Sequence, residues 1–388
     1  MRRDELRQHF ASDSPEVGED AQLSLSSKTI RVPSRRLLAV EGNEDIGVQI
    51  NGLLDAIHWA KWKLGTEGNV TYSITSGKST ETVLDALSML MSALPEYLGV
   101  QLHQNFEPVE PRLCNLDVNS PLRLRQLRMR EQLVWPAIHE KIHQQVGDKN
   151  FAWVRTLTGK AWTGRVDGLI ACELDDRGFG SIQIGSSSRR SSETPVRERF
   201  RFLAGGDSYA ITPNNLLAAT SILERLATDR RKGVLSECQL EHLLEGRVLR
   251  GAVSVEIHGE TLTPVSWQFP TRWSEFGSVR YIDVLGRIGE TPWVVELKVR
   301  EGGGGGSYFR HAVAQAVLYR EFIRRAEGLH PWFHERQLDP LKCQAVVAFP
   351  CSQETERDQQ LVSHVRYLAD LFGVEVALIG DDWRNPAL

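Results

Sequence analysis

With 388 residues, the chain is long enough for two or three domains at ~150 residues each, and 41% hydrophobic residues can fill their cores. Forty-six Lys and Arg against 50 Asp and Glu give a net charge of −4, which excludes a histone-like polycation and confines any nucleic-acid contact to a local patch. No apolar run approaches the ~18–20 residues of a membrane span and no signal segment follows MRRDELRQHF, so a cytoplasmic protein without a membrane partner is expected.

Residues 1–28 are polar and read as a flexible arm. An α/β region is expected over 29–230, suited to regulation, DNA contact or oligomerisation. It opens with a strand in TIRVPSRRLLAV, a helix in NGLLDAIHWAKWKL, a strand VTYSI and a helix from Thr80 to Leu94. A further helix, LRLRQLRMREQLVW, meets Pro136, which must break or restart it. Strands follow in FAWVRTL, GRVDGLIACEL and GSIQIG, and the Ser-rich segment 185–195 reads as a linker. Thr212 then offers an N-cap and Pro213 a first helical residue for a helix running to Arg231.

From 234 to 388 the order of elements is plainer. An amphipathic helix places Leu235, Leu240, Leu243, Leu244 and Leu249 at apolar positions. Strands are expected at 251–258, 263–270, 279–286 and 292–299, a helix at 308–327, a strand CQAVVAFP, a helix at 355–372 and a last strand VEVALIG. This is an α/β fold whose C-terminal mixed sheet is flanked by helices, preceded by a separate α/β region. The five cysteines are scattered and form no C-x-x-C pair, so reduced thiols and oxygen ligands for any metal are expected.

Three ionisable residues interrupt two strands that are otherwise apolar. VRYIDVLG holds Asp283, and PWVVELKV holds Glu296 and Lys298. Charges in strands of this kind are costly unless they pair or hold a metal. Alternation puts Glu296 and Lys298 on one face, and the short connection through Gly286, Gly289 and Pro292 brings Asp283 alongside. The two carboxylates and the Leu297 carbonyl form a hard-oxygen set for Mg²⁺ or Mn²⁺. Such a metal can polarise a phosphate and acidify a water, and Lys298 can serve that water or the developing charge. A structural ion pair is the plain alternative. In the following helix, Gln315 and Tyr319 stand at i and i+4, with His311 and Phe322 on the same stripe.

Asp283, Glu296-Leu297-Lys298 and Gln315-Ala316-Val317-Leu318-Tyr319 together resemble the PD-(D/E)xK nuclease superfamily, in the RecB-like branch with its Q-x-x-x-Y helix. Ile282 stands where the family's literal Pro would be. The resemblance covers about 234–380 and implies a restriction-endonuclease-like sheet, Asp283 and Glu296 as metal ligands, and Lys298, Gln315 and Tyr319 as active-site residues. It further implies a Mg²⁺-dependent DNA endonuclease. SECQLEHLLEGRVL before these strands is similar to Shedu-type antiphage nucleases, which implies bacterial defence and a supporting ligand at Glu237. Glu241, Glu245 and Glu275 compete for that role, and RNA is an alternative substrate.

Other motifs point elsewhere. His139-Glu140-Lys141-Ile142-His143 matches H-E-x-x-H, the zinc-protease signature, although the longer pattern fails at Val146 and Lys149. Ser76-Gly77-Lys78-Ser79-Thr80 lies between a strand and a helix like a P-loop, but Tyr72 replaces its first glycine. Asp167 faintly mimics the acid strand, with Gln183 to Gly185 where the glutamate and lysine would stand. Glycines 302–306 form a connector or a phosphate approach. Arg123, Arg125, Arg128 and Arg130 form a basic cluster that reads as a solvated face or a phosphate contact. A nuclease-like module that binds nucleic acid without cutting it is the remaining alternative.

Overall fold

The structure, a computed structural model, describes residues 22–24, 26, 28–35, 44–65, 68–74, 80–94, 99–105, 107–112, 114–117, 120–130, 136–146, 151–156, 161–166, 169–182, 208–230, 237–274, 280–299, 305–351 and 355–384. The first elements are β1 (Gln22–Ser24), β2 (Thr29–Arg35), α1 (Glu44–Leu64), β3 (Asn69–Ile74), α2 (Thr80–Met91), β4 (Val100–Gln104) and β5 (Glu107–Val109). Then come α3 (Ser120–Arg130), α4 (Ala137–Val146), β6 (Phe151–Arg155), β7 (Trp162–Val166), β8 (Leu169–Leu174), β9 (Gly180–Ile182), β10 (Tyr209–Ile211), α5 (Leu216–Arg230) and α6 (Glu237–Leu249). The last stretch holds β11 (Glu256–Ile257), β12 (Glu260–Thr261), β13 (Thr263–Thr271), β14 (Arg280–Ile288), β15 (Thr291–Leu297), α7 (Gly305–Arg325), α8 (His330–His334), β16 (Gln344–Pro350), α9 (Glu356–Leu371) and β17 (Glu375–Ile379). The fold is mixed α/β, as the order of elements predicts. No helix among the described residues is long and apolar enough to cross a membrane.

The chain forms two compact units, both discontinuous. One joins 1–118 with 255–381, the other 119–254 with 382–388. In the first unit, β2, β3 and β4 run parallel, linked by α1 and α2, with β1 and β5 antiparallel at the edges. Val70, Tyr72 and Ile74 of β3 are buried at the strand period, and Ile50, Leu53, Leu54 and Ile57 of α1 are buried at the helical period. Gly52 is required where α1 crosses β3. The Tyr72 hydroxyl, which donates to Gln49 Oε1 at 2.9 Å, fills the place of a Cβ.

The same unit holds the mixed sheet β13-β14-β15-β16-β17. Its first three strands are antiparallel and its last three parallel. Ala345 to Phe349 of β16 are all buried, as a parallel strand covered on both faces must be. Helix α7 packs on β15 and β16, α9 packs on β17 and α7, and α1 and α2 also pack on α7. The two sheets of this unit therefore share a core around α7.

In the second unit, β10-β9-β8-β7-β6 form an antiparallel sheet. Phe151, Trp153, Trp162 and Leu174 pack there with Leu223 and Leu226 of α5.

Several local expectations need correction. Of the arm expected over 1–28, Gln22–Ser24 form β1, antiparallel to β2, and residues 1–21 lie outside the described residues. The strand expected at 251–258 shrinks to β11, because Gly251 takes a left-handed φ of 69° where it closes α6. Helix α5 starts at Leu216 rather than at Thr212-Pro213. Asn215 Oδ1 accepts from the Thr212 N–H at 2.8 Å, and this turn holds the segment out of the helix. Helix α7 begins at Gly305, so the last two glycines of the run are helical. Arg123 is buried rather than solvated, whereas Arg125 and Arg128 are exposed.

Candidate active site

The site grows from the hairpin β14–β15. Val284 pairs with Val295, Leu285 with Val294 and Gly286 with Trp293. Extended by alternation, this register sets Asp283 and Glu296 on one face, and Lys298 follows two residues on. The antiparallel ladder gives way at Asp283. The Leu297 N–H, which a continued ladder would direct to a β14 carbonyl, is donated instead to Asp283 Oδ2 at 2.8 Å. On the other side the Lys298 N–H bonds the Ala348 carbonyl of β16 at 3.1 Å. The segment carrying Glu296 and Lys298 is thus held from both neighbouring strands.

Glu296 is 1% exposed and Lys298 6%. Their charged ends meet at 2.7 Å, Nζ donating to Oε1. Two ions removed from water at this depth need each other, since either alone would carry a desolvation cost of several kcal/mol. The structure therefore brings Asp283, Glu296 and Lys298 together, as the spacing predicts.

Helix α7 adds the polar stripe His311, Gln315 and Tyr319. Gln315 Nε2 donates to Tyr319 Oη at 3.3 Å. Burial raises the pKa of the Tyr319 phenol, and the negative charges of Glu296 and Asp283 raise it further, so the hydroxyl keeps its proton. His311 moves the other way. Burial, then the positive charges of Lys298 and Arg280, lower its pKa to about 4, leaving a neutral imidazole at pH 7. Phe322 completes the stripe in the core.

Trp273 and Arg280 are the neighbours that sequence reasoning missed. Thr271 pairs with Arg280 across β13 and β14, which brings these two positions, nine apart in the chain, to one place. The Arg280 guanidinium lies 4.8 Å from the centre of the Trp273 ring. That ring stands 5.7 Å from Tyr319 and 6.4 Å from His311. Behind it, Ser274 Oγ donates to Asp85 Oδ2 of α2 at 2.6 Å, and Arg112 Nε bonds Asp85 Oδ1 at 3.1 Å. The only signal in the sequence was an aromatic and an arginine flanking the acid-bearing strand.

The remaining candidates belong to the second unit or lie outside the described residues. Glu237 opens α6 in the second unit. On the same helix Glu241 is partly buried, and Glu245 is buried with Oε2 3.0 Å from His242 Nδ1. Glu275, Asp167, residues 183–185, glycines 302–304 and Ser76 to Ser79 lie outside the described residues. His139 is on α4, fully buried, with Trp153 at 4.5 Å and Trp162 at 5.7 Å between ring centres. Burial lowers its pKa to about 4. Glu140 is exposed and accepts from Gln144 Nε2 at 3.1 Å, while His143 lies 5.8 Å from Phe151.

Among the described residues, no three or more His, Cys, Asp and Glu gather as a metal cluster. Asp283 and Glu296, with the Leu297 carbonyl, supply a donor set of hard oxygens. That chemistry fits a Mg²⁺ or Mn²⁺ ion that keeps several waters, which needs only one or two carboxylates from the protein. No protein family, curated protein or solved structure matches the chain.

Proposed function

We propose that the protein is a metal-dependent nuclease that hydrolyses phosphodiester bonds in DNA. The observation that carries this reading is the buried Glu296–Lys298 pair, beside an Asp283 carboxylate that ends the β14–β15 ladder. Nothing about a sheet core requires two acids and an ammonium at one point, and hydrophobic residues of similar size would stabilise it at least as well.

Asp283, Glu296 and the Leu297 carbonyl would hold Mg²⁺ or Mn²⁺. When bound, the ion supplies positive charge at the phosphate and a more acidic water. The chain's own residues do the rest. Lys298, anchored on Glu296, presents ammonium hydrogens toward the attacking water and the charge that grows on the phosphoryl oxygens. The water oxygen forms the new bond to phosphorus and releases a proton to solvent, the bond to the leaving nucleoside oxygen breaks, and that oxygen takes a proton from solvent. Tyr319, kept protonated and hydrogen-bonded by Gln315, offers a neutral hydroxyl beside the acids. A role in bacterial defence against phage is the setting that the resemblance suggests.

A zinc protease centred on His139 and His143 is the weaker reading. A hydrolytic zinc site must admit water and a peptide, whereas the His139 ring is enclosed by Trp153 and Trp162. Plasmid, linear and single-stranded DNA and RNA, each incubated with Mg²⁺ or Mn²⁺ and with EDTA, test the proposal. Cutting of DNA that EDTA stops and Asp283→Asn removes is the expected result. Preference for RNA would change the substrate, and no cutting of any nucleic acid with either metal would reject the hydrolytic reading.

A further inference from the structure

Arg280 starts β14, the strand that carries Asp283. It is largely enclosed, and burial lowers its pKa. Among the described residues it makes no ion pair, and its guanidinium lies over the face of Trp273 at 4.8 Å, within electrostatic reach of Tyr319 and His311. A largely enclosed guanidinium with no counter-ion among the described residues carries an electrostatic cost, which an anionic ligand would offset.

The groups around it have the same character. Trp273 is 3% exposed and Thr271 0%, yet Trp273 Nε1 and Thr271 Oγ1 have no hydrogen-bond partner among the described residues. His311 Nδ1 is also buried without one among those residues. Buried polar atoms are rarely left unsatisfied, and three around one arginine describe a place for a group rich in acceptors. The guanidinium and the indole N–H can only donate, the Thr271 hydroxyl can also donate, and Lys298 is near enough to act on His311. This donor set favours an anion over a cation.

Strict alternation sends Arg280 to the opposite face from Asp283, three residues or about 10 Å along β14. Their common neighbour is Tyr319, whose ring contacts Trp273 and whose hydroxyl feels both acids. Both groups therefore lie at one end of the sheet. Resting on the phosphodiesterase reading above, we infer that Arg280, stacked on Trp273 and flanked by Thr271 and His311, binds a second backbone phosphate beside the one that is cut. The stacked guanidinium is suited to the task, since its plane is fixed by the indole and its edge is left to donate.

Fluorescence anisotropy of the full chain with a labelled single-stranded oligodeoxynucleotide, in EDTA and over a range of salt, tests this without any cleavage. Arg280→Gln should weaken binding about 10-fold and reduce the salt slope by about 0.7. Arg280→Lys should keep the slope with weaker binding. Trp273→Phe, which retains a ring but loses the N–H, should cost about 3-fold at unchanged slope. Arg366→Gln, an exposed charge on α9, should match the parent. Thermal unfolding of each variant separates a lost site from a lost fold.

Parent-like affinity and slope in Arg280→Gln would overturn the subsite, as would an equal loss in Arg366→Gln or no binding by the parent. Inorganic phosphate provides the other arm. If it stabilises the parent through Arg280 while oligonucleotide binding ignores that residue, the site serves a free anion and the backbone assignment fails. Binding that depends on Arg280, with no cutting under any metal, would reject the hydrolytic reading and leave the subsite standing.

Discussion

The Glu296 carboxylate and the Lys298 ammonium sit 2.7 Å apart with almost no exposure, so each is the other's replacement for water. Removing one partner takes from the other its counter-ion at 2.7 Å, whereas removing both removes the charges together. Lys298→Met and Glu296→Gln are therefore each expected to destabilise the first unit, Lys298→Met by about 3 kcal/mol, in urea unfolding. The double variant should cost clearly less than the sum, and strict additivity would show that the pair does not interact. Asp283 acts on the backbone as well as through its charge. Asp283→Ala strands the Leu297 N–H and should cost about 1–3 kcal/mol, while Asp283→Asn, which keeps an acceptor oxygen, should cost less. These three residues were legible in the sequence because ionised groups inside apolar strands are conspicuous. Trp273 and Arg280 were not, because their approach depends on the β13–β14 register, and neither residue is unusual where it stands in the chain.

Among the elements, α7 does most to position the site, and its far end is clamped. Buried Glu321 receives Arg320 Nε at 3.2 Å, Arg324 Nη1 at 3.2 Å and Arg325 Nε at 3.4 Å. Arg320 also donates to the carbonyls of Phe372 and Gly373, and Arg324 to that of Cys343. Glu321→Ala should destabilise by about 3–5 kcal/mol and loosen the helix that carries Tyr319, as hydrogen exchange along α7 would report. The stripe of α7 was readable from its period, but the clamp was not, because its partners come from two distant turns. Helix α4 makes a different prediction. His139 has a pKa of about 4 in the folded protein against 6.5 when unfolded, so the unfolded chain takes up the proton first. Its contribution is complete above pH 6.5, declines as the pH falls and is lost below about 4, on the order of 3 kcal/mol in all. Urea unfolding of the second unit at pH 7 and pH 4.5 should show a smaller difference in His139→Phe than in the parent.

For the whole molecule, the consequential fact is that 1–118 and 255–381 build one compact unit. Helices α1 and α2 bury their apolar faces against the same core as α7, and Asp85 of α2 ties Ser274 and Arg112 into it. A chain lacking residues 1–118 should therefore expose that core and fail to unfold cooperatively; a sharp, parent-like transition would show that 255–381 suffices. The order of elements and the mixed sheet were legible from hydrophobic periodicity. The joining of two distant stretches was not, since periodicity states which face of a helix is buried and not what buries it. The central claim is that Asp283, Glu296 and Lys298 act together on a phosphodiester. Its most direct measurement is the single-turnover rate of DNA cleavage in Mn²⁺ by the parent and by Glu296→Gln, which preserves shape and removes one charge. A fall of about 100-fold or more, with cleavage abolished by EDTA, is the expected result; an unchanged rate, or cleavage that persists in EDTA, would contradict it.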